Sequence, residues 1–309
     1  MKKVFIDGSA GTTGLRIYER LSEREDLQIV SLPDHLRKDP IAKKEVINSV
    51  DVVFLCLPDD AARESVALVE NPSVTVIDAS TAHRTLPQWA YGFPELSAAF
   101  EEKLLSSKRI AVPGCHASGF IALTYPLIEA GLLNKNTMLT CHSITGYSGG
   151  GKKMIADYES ENKAFLLGAP RQYALTQQHK HLKEMKGIVG LDKEPIFCPI
   201  VSDFYSGMTV TVPIFAEMLS GGTAEDIKAL YAKKYHGEIV KYEESVDEGG
   251  FVSGLAMHGK DGMKITVAGN AERILLIAAY DNLGKGASGA AIECMNLAIS
   301  AERTKGLVL

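Results

Sequence analysis

The feature that most restricts this chain lies at its start. Val4-Phe5-Ile6 runs into Gly8-Ser9-Ala10-Gly11-Thr12-Thr13-Gly14, and residues 15–22 follow with Leu15, Ile17 and Leu21 set among Arg16, Glu19 and Arg20. A strand, a glycine turn and an amphipathic helix in that order predict a βα unit. Glycine lets the backbone turn tightly and come close to a ligand. The N–H groups that open the helix then face an anion, which the helix dipole favours. The spacing is G-x-x-G-x-x-G, a pattern that by itself also describes a plain tight turn. Its place between a strand and a helix selects a dinucleotide pyrophosphate site, with Gly8, Ser9, Ala10, Gly11, Thr12, Thr13 and Gly14 against the cofactor.

The alternation continues. Residues 27–32, 51–57 and 74–78 read as strands and 61–69 as a helix. The apolar run at 51–57 suits a strand buried on both faces and stops at Pro58, which cannot donate to a ladder. Such alternation predicts a parallel sheet with right-handed crossovers. Beyond residue 115 the pattern changes. Residues 137–145, 196–202, 208–215 and 264–269 are strand-like, and Thr209-Val210-Thr211-Val212 alternates as an antiparallel strand does. Helical stretches fall at 152–165, 176–185, 223–235 and 288–303. The expected fold class is α/β: an N-terminal Rossmann-like parallel-sheet domain from residues 1–115 and 285–309, and an α+β catalytic and dimerisation domain with a mostly antiparallel sheet from residues 116–284. The stretch 207–215 is a place where subunits can pair, and a homo-oligomer, dimer or tetramer, is expected.

Composition narrows the partners. The chain has 309 residues, enough for two such domains, and a net charge of -5 without a Lys/Arg block. This argues against nucleic acid or an anionic membrane as the main partner, and not against a small anion in a locally basic pocket. Cys56, Cys115, Cys141, Cys198 and Cys294 are far apart and form no C-x-x-C pair. A disulfide framework or structural zinc site is therefore not expected, and a reducing compartment is. With no apolar run of about 18 residues and no secretory leader pattern, the expected location is the cytoplasm. The strand over 27–32 ends at Ser31-Leu32-Pro33 with no acid to hold a ribose 2′-hydroxyl, and Arg37 and Lys38 follow. That favours NADP(H) over NAD, with Ser31 and Arg37 near the ribose phosphate.

Cys115 follows Pro113-Gly114 at the end of a strand and opens an apolar helix. A helix N-terminus stabilises negative charge, so a thiol there becomes a usable nucleophile. The other four cysteines read as packing residues. The nucleophile needs a proton partner, and Gln178-His179-Lys180-His181-Leu182-Lys183-Glu184 offers two histidines. Glu184 lies three residues after His181, on the same helix face, where a carboxylate can orient an imidazole. His116 points elsewhere and is the poorer base. A zinc site from His179, His181 and Glu184 lacks a further ligand at metal-site spacing. Ser143 to Lys152 joins a strand to a helix through three glycines. Ser148, Gly149 and Lys152 there, together with Arg84 and Arg171, are candidate binders of phosphate or carboxylate.

Taken together, Gly8 to Gly14, Asp78 to Arg84, Tyr91 to Glu95, Pro113-Gly-Cys115, Gly146 to Lys152 and Asn282 to Gly289 make the chain resemble the N-acetyl-gamma-glutamyl-phosphate reductases of arginine biosynthesis in their shorter form. It is similar, more distantly, to aspartate-semialdehyde dehydrogenase. The resemblance implies Cys115 as the acyl-accepting nucleophile and His181, the second histidine of an H-x-H segment, as the acid–base group. It implies that Asn282 and Gly286 lie near the nicotinamide. The longer form has proline where this chain has Lys183, and arginine near Lys152. The implied reaction is NADPH-dependent conversion of an acyl phosphate to an aldehyde and phosphate through a cysteine thioester. Three other readings stay open: an aspartate-semialdehyde dehydrogenase, a Rossmann oxidoreductase without covalent catalysis, and a non-catalytic NADPH sensor.

Overall fold

The structure is a computed structural model that describes all of residues 1–309. It divides into two compact units, Met1–Pro113 with Ala287–Leu307, and Gly114–Gly286 with Val308–Leu309. The division puts Cys115 in the second unit, whereas the sequence reading closed the first domain on it.

The first unit begins with β1 (Lys2–Asp7), α1 (Thr12–Ser22), β2 (Leu27–Val30), α2 (Pro40–Ser49), β3 (Val52–Leu55) and α3 (Asp59–Ala67). It continues with β4 (Thr75–Asp78), β5 (Ala90–Tyr91), α4 (Ala98–Ser106) and β6 (Arg109–Ala111). The strands form one sheet in the order β2-β1-β3-β4-β6-β5, and every pairing is parallel. Alternation along the strands makes two cores. Val4, Ile6, Phe54, Ile77 and Ile110 face one side with Ile17 and Leu21. Phe5, Val53, Leu55 and Val76 face the other with Ile47 and Ala62. Both faces of a parallel sheet are thus covered, as the continuous apolar run at β3 requires. Leu15, read as part of the apolar stripe, is exposed, and Gly14 takes the buried position.

The second unit comprises α5 (Cys115–Glu129), β7 (Thr140–Gly146), α6 (Gly151–Glu159), β8 (Arg171–Gln172) and α7 (His181–Val189). β9 (Ile196–Ser202), β10 (Met208–Phe215), α8 (Ala224–Lys234), β11 (Val240–Tyr242), β12 (Met263–Gly269) and β13 (Arg273–Tyr280) complete it. The chain then closes the first unit with α9 (Gly289–Ala298), whose Ala291 and Met295 join the core beside Ile17. The second sheet runs β11-β12-β13-β10-β7-β9-β8 and is mixed. Its pairings are antiparallel except β7 with β9 and β11 with β12.

Two readings need correction here. β10 lies between β13, which pairs with it along Met208–Phe215, and β7, which pairs with it along Met208–Thr211, so residues 208–211 offer no edge for a partner strand. The helix read over 176–185 starts only at His181, because Ala174 and Gln177 adopt positive φ and hold the preceding segment as a loop.

α5 packs against β10, β13 and α7, and nearly all of it is buried. Pro126 sits inside it and lacks the N–H that would bond to the carbonyl of Ala122. The Tyr235 hydroxyl donates to that carbonyl instead at 2.7 Å, and the Tyr231 hydroxyl donates to Leu123 O. Two buried tyrosines thus satisfy a helix that its own sequence would weaken.

Candidate active site

The glycine turn is built by contacts that only glycine permits. Gly8 has φ +89°, and a Cβ there would lie 2.3 Å from the Cys56 carbonyl at the end of β3. A Cβ on Gly14 would lie 2.3 Å from Gly8 O, and Gly11 N–H donates to Gly8 O at 2.9 Å. α1 begins at Thr12, so Gly14 falls in its first turn rather than before it. Beside the turn is a cavity of about 400 Å³ lined by Gly8, Ser9, Ala10, Ser31, Arg37 and Lys38, among others. This combination suits a dinucleotide: close backbone approach for the pyrophosphate, and a hydroxyl with two cations at the end of β2.

Cys115 is the first residue of α5, with Gly114 as N-cap. It is half-buried, and its carbonyl accepts from the Tyr280 hydroxyl at 2.5 Å. That hydroxyl also accepts from Gly119 N–H at 3.0 Å. Gly119 makes this possible, since a Cβ there would meet the hydroxyl at 2.7 Å. Gly286 lies directly against Cys115; a Cβ at 286 would stand 3.0 Å from that of Cys115. The other thiols have different surroundings. Burial, reinforced by the Asp78 and Asp7 carboxylates, pushes Cys56 up to about 12, and burial holds Cys141 still higher. Cys56 lies one residue beyond β3, not inside it.

His181 and Glu184 both lie in α7 and are buried. Glu184 Oε1 accepts from Gly114 N–H at 2.8 Å, so the carboxylate closes the N-terminus of α5 immediately before Cys115. Sequence reading gave Glu184 to His181 and missed this role, because nothing in the spacing of 114 and 184 reveals it. The rings of His116, His179 and His181 cluster, His181 being 5.6 Å from His116 and 4.7 Å from His179 between centroids. His179 Nδ1 accepts from His181 N–H at 3.2 Å.

The family model of the semialdehyde dehydrogenase dimerisation domain matches residues 115–282, and that of the semialdehyde dehydrogenase NAD binding domain matches residues 33–103. An N-acetyl-gamma-glutamyl-phosphate reductase of Nostoc is 42% identical over 99% of both chains. One from Rhizobium meliloti is 42% identical over 97% of this chain and 99% of its own. The chain belongs to the semialdehyde dehydrogenase family, on the branch of the N-acetyl-gamma-glutamyl-phosphate reductases. Two solved aspartate semialdehyde dehydrogenases share its fold. The Vibrio cholerae enzyme matches with TM-score 0.72 at 14% identity over 97% of this chain and 98% of that one. The Francisella tularensis enzyme matches with TM-score 0.71 at 14% identity over 96% and 99%.

Within this family member the remaining predicted residues take varied places. Asn282 is buried with both ends of its amide engaged: Oδ1 accepts from Gly207 N–H at 2.9 Å and Nδ2 donates to Ser148 Oγ at 2.9 Å. Ser148 N–H donates to Tyr205 O. Both residues therefore brace the end of β7. Gly149 and Lys152 are exposed. Arg171 is exposed, lies 5.5 Å from the Tyr158 ring centre and donates to the Tyr158 hydroxyl at 3.2 Å. Arg84, in the first unit, is buried; Nε donates to Val112 O at 2.8 Å and Nη2 to Ala79 O at 3.1 Å. A buried guanidinium needs such partners, and the result ties the loop after β4 to the end of β6. No helix is long and apolar enough to cross a membrane.

Proposed function

We propose that this chain reduces N-acetyl-gamma-glutamyl phosphate to N-acetylglutamate 5-semialdehyde and phosphate with NADPH, in arginine biosynthesis, through a thioester on Cys115. The observation that carries this is Cys115 as the first residue of a buried helix, half-exposed beside a histidine cluster. Its sulfur lies at the positive end of the α5 dipole, which favours the thiolate. The thiolate attacks the acyl-phosphate carbonyl carbon; a C–S bond forms, the C–O bond to phosphorus breaks, and phosphate leaves. NADPH supplies the hydride that takes the thioester to the aldehyde level. The tetrahedral alkoxide on Cys115 then collapses, C=O re-forms as the C–S bond breaks, and His181, which took the thiol proton before the attack, returns it to sulfur. Dividing the reduction at a thioester replaces one difficult step by two easier ones.

Gly8 to Gly14 hold the pyrophosphate in this reading, and Ser31 and Arg37 the 2′-phosphate. Gly286 keeps the backbone beside Cys115 free of a side chain. Gly149, Lys152 and Arg171 bind the phosphate or carboxylate of the substrate, while Ser148, Arg84 and Asn282 act through the backbone they hold. Self-association uses the face of the second sheet opposite α5, where Ile144, Phe215 and Leu275 are exposed, and gives a dimer or tetramer. Five free cysteines suit a cytoplasmic, reducing setting.

The test is turnover of the purified protein with NADP⁺ and phosphate, offering N-acetylglutamate semialdehyde or aspartate semialdehyde. The proposal predicts preference for the first and a loss of about 1,000-fold or more in Cys115→Ser. Preference for aspartate semialdehyde overturns the substrate. Near-normal turnover in Cys115→Ser overturns the thioester, and NADPH binding without any turnover overturns the enzyme.

A further inference from the structure

The sequence pattern makes His116 the poorer partner for Cys115, yet in the structure both of its ring nitrogens have hydrogen-bond partners. It follows Cys115 in α5 and is buried. Nδ1 lies 2.6 Å from Ser143 Oγ on β7, and Nε2 lies 2.7 Å from the Tyr173 hydroxyl. The ring also packs on Phe197, 5.3 Å between centroids. Tyr173 is itself pinned, its N–H donating to Pro199 O at 3.0 Å.

The protons in this chain can be assigned by satisfying each donor. Ser143 is fully buried, and its hydroxyl has His116 Nδ1 as its only partner. If Nδ1 carried the hydrogen, the serine hydrogen would be left buried without an acceptor. A buried donor without an acceptor costs more than an oxygen lone pair without a donor. Ser143 therefore donates to Nδ1, and the imidazole hydrogen sits on Nε2 and donates to the Tyr173 oxygen. The phenolic hydrogen of Tyr173 is then not used on His116 and is available to a third group.

We propose that His116, held by Ser143 as the neutral Nε2–H tautomer, is a positioning residue that aims the Tyr173 hydroxyl as a hydrogen-bond donor at the reacting centre on Cys115. The donor meets negative charge on the sulfur before attack and on the carbonyl oxygen during it. No proton need be transferred, so the group acts as a fixed dipole of the kind that stabilises developing charge. Two electrostatic observations agree. Burial, with His179 second, pushes His116 down to about 3, so it stays neutral at working pH. Tyr173 is held well above the usual phenol range, by burial first and then by the Cys115 charge, so it keeps its hydrogen.

This inference rests on Cys115 being the nucleophile, and the experiment separates the two. Tyr173→Phe and Ser143→Ala are compared with the wild type in steady-state turnover and in burst-phase acylation of Cys115. Both variants are expected to lower kcat and the acylation rate by about 10- to 100-fold, with KM within roughly twofold and unchanged NADPH binding, while an acyl group still forms on Cys115. In ¹⁵N-resolved spectra of the wild type, the His116 ring should show the Nε2–H tautomer from pH 6 to 9. Wild-type kcat and acylation in both variants, or an Nδ1–H or doubly protonated His116, overturns the inference. Absence of any acyl group on Cys115 in the wild type instead overturns the nucleophile.

Discussion

Removing the Glu184 carboxylate tests how the N-terminus of α5 is held. Its Oε1 accepts from Gly114 N–H at 2.8 Å, and the residue is only 2% exposed. In Glu184→Ala that N–H loses its acceptor in a buried place, a cost of about 1–3 kcal/mol. The favourable charge at the positive end of the helix is lost as well, about 0.3–1 kcal/mol. A total of roughly 1.3–4 kcal/mol follows. For a unit the size of residues 114–286, each kcal/mol moves Tm by about 2–4 °C, so the variant should melt roughly 3–16 °C lower. Glu184→Gln keeps an acceptor for Gly114 and loses only the charge, so it should cost about 1 kcal/mol or less. Calorimetry of the three proteins at pH 7.5 measures both. An alanine variant that melts within 2 °C of the wild type, or a glutamine variant as unstable as the alanine one, would refute the tie between Glu184 and Gly114.

Further outcomes are expected. His116 is pushed from an ordinary 6.5 to about 3 by burial, so below pH 6.5 the unfolded chain binds a proton that the folded chain does not. Stability is full above that pH and falls as pH drops toward 3, by about 2 kcal/mol at pH 5; denaturant titrations should show this slope, and His116→Phe should lack it. Arg37→Ala should raise the Kd for NADPH by about 10-fold or more, the worth of a hydrogen bond to a charged group, and leave NADH unchanged; equal weakening of both by isothermal titration would contradict the assignment. Gly8→Ala puts a Cβ 2.3 Å from a backbone carbonyl at φ +89° and should lower Tm and weaken binding of NADPH and NADH alike.

β1 to β4, α1 and α3 were legible because each of those strands announces itself by an apolar run and each turn by glycine or proline, whereas the two-residue β5 and helix α4 were not read. α2 carried a signal that was passed over: Asp39-Pro40, where the Asp39 side chain accepts from the N–H groups of Ile41 and Ala42. The start of α7 was not legible, since positive φ at Ala174 and Gln177 has no mark in the residue types. Cys115 could be found by its place after Pro113-Gly114. Its surroundings could not, because Glu184, Tyr280 and Ser143 reach α5 from distant stretches of chain through one or two side-chain hydrogen bonds each. Asn282 and Ser148 show another limit: no residue type announces that the two side chains bond to each other and that Asn282 also holds Gly207 N–H.

The central claim is covalent capture by one thiol, and mass spectrometry of acid-quenched protein during turnover reads it directly. Acyl phosphate without NADPH should add one N-acetylglutamyl group to the peptide containing Cys115, and NADPH should discharge it. An unmodified Cys115 peptide under conditions of full turnover, or an acyl group on another residue, would contradict the account.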